Sequence, residues 1–597
     1  MLFPPQGNAR AAICYSKTLK GVFKLASATG ICFVCMSLSA CSGCSPIRTT
    51  RNSAPPRTPA ASGIRFEDAS VAAGLRYRWV IAGKRPLNIL QTIGSGCAFL
   101  DYNNDGNLDI LLVGPKLALY RGDGKGHFTE VTEETGLAKL TGHFLGCAVG
   151  DIDGDGYDDI YVTAYRGGVL LHNETRSESD QHSSTLLVQH SITPSLQHSR
   201  LFRDITSHSG IKPQPWGTSA AFADIDGDGR LDLYICNYAK FDKSSPQLCD
   251  FGGILSSCGP RFYTPETGVL YRNLGDGRFQ DVTESWKVTK ASGRALGATF
   301  ADYDGSGRQS LALANDELPG DLFQNVGRSF HNVGATSGTA FGPDGNPHGG
   351  MGIDWGDYDN DQKLDLFVAT FVHEVKSVYH NDGDGTFADR ATNLGIAEKT
   401  MPYIAFGAKW FDADNDGWLD LIVANGHVQD NAELIDKSTA YRQPIQLFHN
   451  RVGTAMEDTG AAAGEPFRRR IVGRGLAIGD YDNDGKIDAL VVDSEGAPLL
   501  LHNVSPNAGS WLTIDLRGKR PNVHGIGALV TVEAGGLRMF RRCGTDGSYM
   551  SASDRRVHVG LGPATSANIR IKWPGGKITT HAGVRADQIV TLKEQQN

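Results

Sequence analysis

Asp151-Ile-Asp153-Gly-Asp155-Gly156-Tyr-Asp-Asp159 runs directly into Ile160-Tyr-Val162. Four carboxylates fall at positions 1, 3, 5 and 9 of a nine-residue loop, with glycine at position 6 and an apolar β-branched run behind it. Crowded carboxylates repel one another unless a cation sits among them. Calcium takes six to eight oxygens in a flexible cage, whereas magnesium demands stricter octahedral geometry. Side chains at positions 1, 3, 5 and 9, with the carbonyl at position 7, supply such a cage. Glycine at position 6 permits the left-handed turn. An EF-hand would need a bidentate glutamate at position 12. Position 12 is Val162 here, so the ninth-position aspartate closes the cage early and a strand follows.

The stretch is one of seven copies, starting 50, 73, 78, 55, 55 and 68 residues apart. Asp101, Asn103, Asp105 and Asp109 form the first, and Asp151, Asp153, Asp155 and Asp159 the second. Asp224, Asp226, Asp228 and Asp232 form the third. Asp357, Asp359, Asp361 and Asp365 form the fifth, with Gln362 at the glycine position. The sixth is Asp412, Asp414, Asp416 and Asp420, and the seventh Asp480, Asp482, Asp484 and Asp488. The fourth retains Asp302 and Asp304 but has Ser306 and Ser310 where acids belong, so it is expected to be weak or empty. Position 12 is apolar in every copy, as at Leu112, Ile235, Val368 and Val491. The expectation is six calcium sites and a weak seventh.

Two further elements keep phase with the loops. Phe66-Glu-Asp, Phe128-Thr-Glu, Phe202-Arg-Asp, Phe279-Gln-Asp, Phe330-His-Asn and Phe387-Ala-Asp each precede a copy, and Phe467 precedes the last more loosely. Between them lie segments such as Leu270-Tyr-Arg-Asn273 and Tyr379-His-Asn381, followed by Gly-Asp-Gly hairpin turns. Helical periodicity is nearly absent. Units of about four short strands repeated seven times predict an all-β fold, a seven-bladed β-propeller over 63–503. Residues 504–597 are strand-rich again, as in Trp511-Leu-Thr-Ile-Asp-Leu516, and predict a small β-sandwich docked on it. Gly560-Leu-Gly562 and Trp573-Pro-Gly-Gly576 read there as turns.

The chain has 597 residues, 73 of them glycine, with 40% hydrophobic residues, too many for a disordered polymer. A net charge of −8 argues against nucleic acid as a partner. Lys17, Lys20 and Lys24 precede an apolar stretch from Leu25 to Leu38 that ends Leu38-Ser-Ala-Cys41. A basic region, a short apolar core and small residues form a secretory signal over 1–40. The ending resembles a bacterial lipobox, which makes Cys41 the lipidated first residue. Residues 41–62, rich in Arg, Pro and Ser, then read as a flexible tether. The expectation is an exported lipoprotein held at the outer membrane or cell surface. Without residues 1–40 the balance is 54 basic against 66 acidic residues, and six divalent ions would neutralise it.

The Asp loops, Leu270-Tyr-Arg-Asn-Leu-Gly-Asp-Gly277, Gly350-Met-Gly-Ile-Asp354 and Asn425-Gly-His-Val428 resemble FG-GAP/VCBS-repeat proteins. The tail is similar to an ASPIC/UnbV domain through Asn522-Val-His-Gly-Ile-Gly-Ala528, Ser551-Ala-Ser-Asp554 and Trp573-Pro-Gly-Gly576. Together these place the resemblance in the cartilage acidic protein group. It implies an integrin-like propeller and an exported, calcium-binding interaction protein, and no defined reaction.

Several weaker signals complete the reading. Cys249 and Cys258, in an insertion over 239–268, suit a disulfide in an exported protein. Cys97 and Cys147 read as small buried hydrophobes. Arg121-Gly-Asp123 reads as a turn rather than an adhesion tripeptide, and His182, His190 and His198 fit no metal template. His373-Glu374 lacks the second histidine of a zinc protease. There is no GxSxG elbow and no phosphate-binding loop. The favoured function is a surface module binding protein or glycan ligands. The alternative is a polysaccharide hydrolase or lyase with its site in the propeller funnel.

Overall fold

The computed structural model describes residues 63–175 and 201–594. The signal segment, Cys41, the tether and the three insertion histidines lie outside them. The apolar runs behind each Asp loop form strands, and the strands pair into seven four-stranded antiparallel sheets. Sheet I comprises Cys97–Leu100, Asp109–Leu112, Ala118–Gly122 and Phe128–Glu130. Sheets II to VI follow the same order, with innermost strands His143–Gly150, Gln214–Ala223, Ala295–Ala301, Ile353–Gly356 and Ala405–Phe411. Sheets II and III are further joined edge to edge, Trp216 opposite Tyr165.

Sheet VII holds Gly473–Gly479, Asp488–Asp493 and Leu499–Asn503, and takes its outer strand, Phe66–Asp68, from the start of the chain. The innermost strands touch in sequence and the last returns to the first, closing a ring. Phe467 therefore does not carry the repeat. The outer strand of sheet VI is Met456–Asp458, and Phe467 sits in a 3₁₀ turn packed edge-on against Phe66 at 5.7 Å. A hydrophobic cluster fills each space between neighbouring sheets, as where Leu111 and Leu119 of sheet I meet Ile160 and Val162 of sheet II. Along the ring axis, glycines let inner strands approach. A Cβ at Gly407 would stand 2.6 Å from the Arg474 carbonyl of the next sheet.

The asparagine that recurs near the end of the third strand has a physical role. The Asn381 amide donates to the Tyr303 carbonyl of the preceding sheet at 3.0 Å and to Leu364 of its own loop at 3.2 Å. Asn173, Asn273, Asn325, Asn450 and Asn503 repeat the bond to the preceding sheet at 2.7 to 2.8 Å. Sheet I has Gly122 at this place, which has no side chain to make the bond.

Residues 510–593 form a three-stranded sheet, Val557–Gly562, Ser510–Arg517 and Gln588–Lys593, over a four-stranded one led by Leu537–Arg542 and Leu529–Ala534. Leu512, Ile514, Val530, Val532, Ile571 and Trp573 share their core. Gly560-Leu-Gly562 is not a turn. It ends a strand pressed on loop VI, where a Cβ at Gly560 would collide with the Asp412 carboxylate.

Asn381→Ala should cost about 2 to 4 kcal/mol, because it strands two buried carbonyls at a sheet junction. Urea unfolding of the variant against the parent chain measures it, and an unchanged midpoint would refute the bolt.

Candidate metal centres beneath the C-terminal domain

Each loop is held by its own carboxylates. In loop II the Asp151 carboxylate accepts the N–H groups of Gly154 and Gly156 at 2.7 and 2.8 Å. Asp155 accepts from Tyr157 at 2.8 Å. Asp159 takes the Ile152 N–H at 2.9 Å and the Asn173 N–H at 2.7 Å, which bolts the loop to the third strand. The ninth-position aspartate accepts in the same way from Gly122 at Asp109 and from Asn381 at Asp365. Glycine at position 6 is left-handed at Gly156, φ 101°, and Gln362 adopts φ 72° in its place, so loop V keeps its shape without glycine. Position 4 links the loops, since left-handed Asn104, Asn360 and Asn415 donate to the Gly156, Gly417 and Gly485 carbonyls of the next loop.

The carboxylates converge. Oxygens of Asp151, Asp153 and Asp159 lie within 4.8 Å of one another. Burial, reinforced by neighbouring acids, pushes Asp109, Asp357 and Asp480 up to about 8 and Asp151 to about 7. Oδ1 of Asp414 and Oδ1 of Asp482 are buried with no hydrogen-bond partner. Converging buried carboxylates that resist ionisation, some with an unsatisfied oxygen, are an environment suited to a hard divalent ion.

The third strand contributes a residue that the sequence reading passed over. The residue before the bolting asparagine is His172, His380, His449 or His502 in loops II, V, VI and VII. His172 Nε2 lies 2.9 Å from Asp153, whose hydrogen bond raises the imidazole to about 9. His449 lies 3.0 Å from Asp420. The signal was visible as His-Asn behind each of these loops.

Loops III and IV differ. Arg272 donates to Asp226 and Asp228 at 2.7 and 3.0 Å, Arg328 lies 3.2 Å from Asp226, and Arg230 pairs with Asp228. Three guanidinium groups therefore offset the charge there. In loop IV the Lys572 ammonium, from the C-terminal domain, bonds Asp302 at 2.8 Å and the Gly305 carbonyl at 3.2 Å. Ser310 keeps the third-strand bolt by accepting the Asn325 N–H at 3.1 Å.

The loops are also the floor on which the C-terminal domain stands. The Gly562 N–H donates to the Asn415 carbonyl at 2.8 Å, Arg541 to the Gly417 carbonyl at 3.1 Å and Arg556 to the Asp480 carbonyl at 3.0 Å. His558 meets the Asn415 side chain at 2.8 Å. From this platform residues 543–554 descend into the ring. Thr545 donates to the Val149 carbonyl, the Phe300 N–H to Asp546, and the Met550 N–H to the Ser219 hydroxyl. The Cys147 N–H donates to the Met550 carbonyl, the Phe99 N–H to that of Ala552, and the Ile478 N–H to Ser553. Ser548 pairs with Ile353, and Tyr549 packs edge-on against Phe406 at 4.9 Å. Strands of all seven sheets thus touch this plug. Cys249 and Cys258 are joined in a disulfide, Cys97 and Cys147 are free and buried, and Arg121-Gly-Asp123 lies at a hairpin turn.

The ASPIC and UnbV family profile matches residues 518–597. FG-GAP-like repeats match 98–162 and 357–423, and an FG-GAP repeat matches 148–184. The chain carries FG-GAP repeats and an ASPIC/UnbV domain. It is similar to cartilage acidic protein 1 of Xenopus tropicalis, 25% identical over 514 residues, 82% of this chain and 71% of that protein. Human cartilage acidic protein 1 is 24% identical over 503 residues, 81% of this chain and 69% of its own. Among solved structures, an Agrocybe aegerita lectin recognising non-reducing terminal N-acetylglucosamine covers 68% of this chain and 94% of its own, at 14% identity and a TM-score of 0.35.

A carboxylate whose folded value is raised stabilises the protonated fold and withdraws that support as pH climbs from its unfolded value, about 4, to its folded one. Asp109, Asp357 and Asp480, raised to about 8, set the window. Protein held in chelator should therefore melt at a higher temperature at pH 5 than at pH 8, as calorimetry would measure.

Proposed function

We propose that the protein is an exported, lipid-anchored propeller whose Asp loops hold calcium and whose exposed loops bind a surface protein or glycan. The observation that carries this is the convergence of buried, charge-resisting carboxylates beneath the C-terminal domain. Calcium in loops I, II, V, VI and VII would cancel repulsion at the interdomain floor. It would thereby rigidify the ring that presents the ligand-binding loops. Loop III, where the sequence leads one to expect a sixth ion, and loop IV need none in this reading, because Arg272, Arg328 and Lys572 already bring positive charge. The carboxylate side chains would supply the ion's contacts.

The repeat composition supports an extracellular binding or adhesion module. The relatives named above bear a descriptive and not an enzymatic name. Residues 543–554 fill the funnel from the C-terminal side, so a polysaccharide-acting site would have to lie at the opposite mouth. The Leu38-Ser-Ala-Cys41 ending supports lipid anchoring.

Native mass spectrometry in calcium buffer should find five bound ions, one in each loop not served by Arg272 or Lys572. Arg272→Gln should admit one more. A metal-free spectrum with a melting temperature indifferent to calcium would overturn the reading. Glycan and surface-protein arrays, run with calcium and with chelator, test the binding role.

A further inference from the structure

The mouth of the ring opposite the C-terminal domain contains a cavity of about 350 Å³. Its floor is the plug tip, Tyr549, beside Phe406; Tyr238 and Phe371 form walls. The insertion over 239–268 roofs it. That arm leaves sheet III, is closed by the Cys249–Cys258 disulfide, and is pinned to the far side of the ring. Ser256 donates to the Asn431 side chain at 2.6 Å, Asn431 to the Leu255 carbonyl at 2.8 Å and Gln429 to the Ser257 carbonyl at 3.1 Å. An arm fixed at both ends makes the cavity a built feature. Its rim nonetheless exposes Phe262 at 62%.

One side chain gives the cavity its chemistry. Asp316 is buried at 9% exposure, and Oδ2 accepts the Tyr238 hydroxyl at 2.6 Å. Among the described residues its carboxylate has no ion-pair partner. The charges acting on it are those of Glu317 and Glu374, both acidic, and of Arg294, whose guanidinium faces the Asp316 and Tyr263 carbonyls. Glu317 is paired with Arg261 at 2.9 Å, and Glu374 accepts the Gly349 and Phe371 N–H groups. Glu317 also holds φ 52°, a strained value for a residue with a Cβ, at the cavity edge. The guanidinium of Arg474 lies 3.9 Å from the Phe406 ring centroid, with its donors taken by the Thr92, Gly426, Gly473 and His427 carbonyls.

A buried carboxylate with no counter-ion, set among aromatic rings, lacks a cation carried on an apolar body. Aromatic faces attract ammonium groups through their quadrupole, and a desolvated acid adds a directed partner. We propose that this cavity binds an organic ammonium group, with Asp316 as its counter-ion and Tyr238, Phe371 and Tyr549 as its aromatic enclosure. The group is supplied by a free arylalkylamine or by a lysine side chain of a partner. The proposal rests on the reading of the protein as a binding module and names the chemistry its free face selects.

Calorimetric titration of the calcium-loaded protein with phenethylammonium, Nα-acetyl-lysine amide, the neutral isostere 2-phenylethanol and N-acetylglucosamine tests it. Saturable binding is expected for phenethylammonium or the lysine amide, and which of them binds more tightly distinguishes the two sources. The neutral alcohol should bind at least about tenfold more weakly, and Asp316→Asn should lose about tenfold in affinity for the ammonium. Should Asp316→Asn not fold, Phe262→Lys at the exposed rim should weaken ammonium binding by repulsion while leaving the melting temperature unchanged. Equal binding of alcohol and ammonium, preference for the sugar, absence of saturable binding by both ammonium probes, or folded variants with parental affinity would each overturn the proposal. Failure of the calcium reading registers separately, in ion count and melting temperature.

Discussion

Mutual repulsion among buried carboxylates is the constraint around which this molecule is arranged. Position 1 of each loop must be an acid because it gathers the loop's own N–H groups, as Asp151 does with Gly154 and Gly156. Position 9 must be one, or at least an acceptor, because it fastens loop to third strand. Both requirements put negative charge in places poor in water. The repulsion is met in two ways within one chain. Loops III and IV draw in Arg272, Arg328 and Lys572. Loops II, V, VI and VII gather acids around histidines, loops V and VII also pair Lys363 with Asp361 and Lys486 with Asp484, and oxygens stay unpartnered in loops VI and VII.

The tethered cation of loop IV has a structural consequence. Lys572 belongs to the C-terminal domain, so loop IV is neutralised only while that domain is docked. Arg556 and Arg541 reach carbonyls of loops VII and VI from the same domain. The propeller floor and the domain above it therefore share their electrostatics, and neither is a passive support for the other. Charge that would push the loops apart becomes, once offset, the surface on which the second domain registers.

Much of this was legible in the chain because the repeat amplifies it. Seven in-phase copies give the sheet count, since hydrophobic period and loop chemistry agree at every level. The strand that closes the ring was not legible: Phe66-Glu-Asp looks like any other repeat opening, and only pairing with Leu499–Asn503 reveals that it finishes the last sheet. Phe467 misled for the same reason, its aromatic ring mimicking a position that Met456 fills. The clustering of the Asp carboxylates is local and could be read. The tethered cations could not, because Lys572 and Asp302 are 270 residues apart and meet only through the fold.

The plug assigns different work to the two ends of the ring. Here residues 543–554 exchange hydrogen bonds with inner strands and bury Tyr549 entirely. A small domain gains its anchorage from this insertion, and the ring gains an axial core. What remains accessible is the opposite mouth, where Tyr549 ceases to be part of a plug and becomes the floor of a cavity. The same buried residue thus lies between the plug and the cavity, its hydroxyl donating to the Ile93 carbonyl at 2.8 Å.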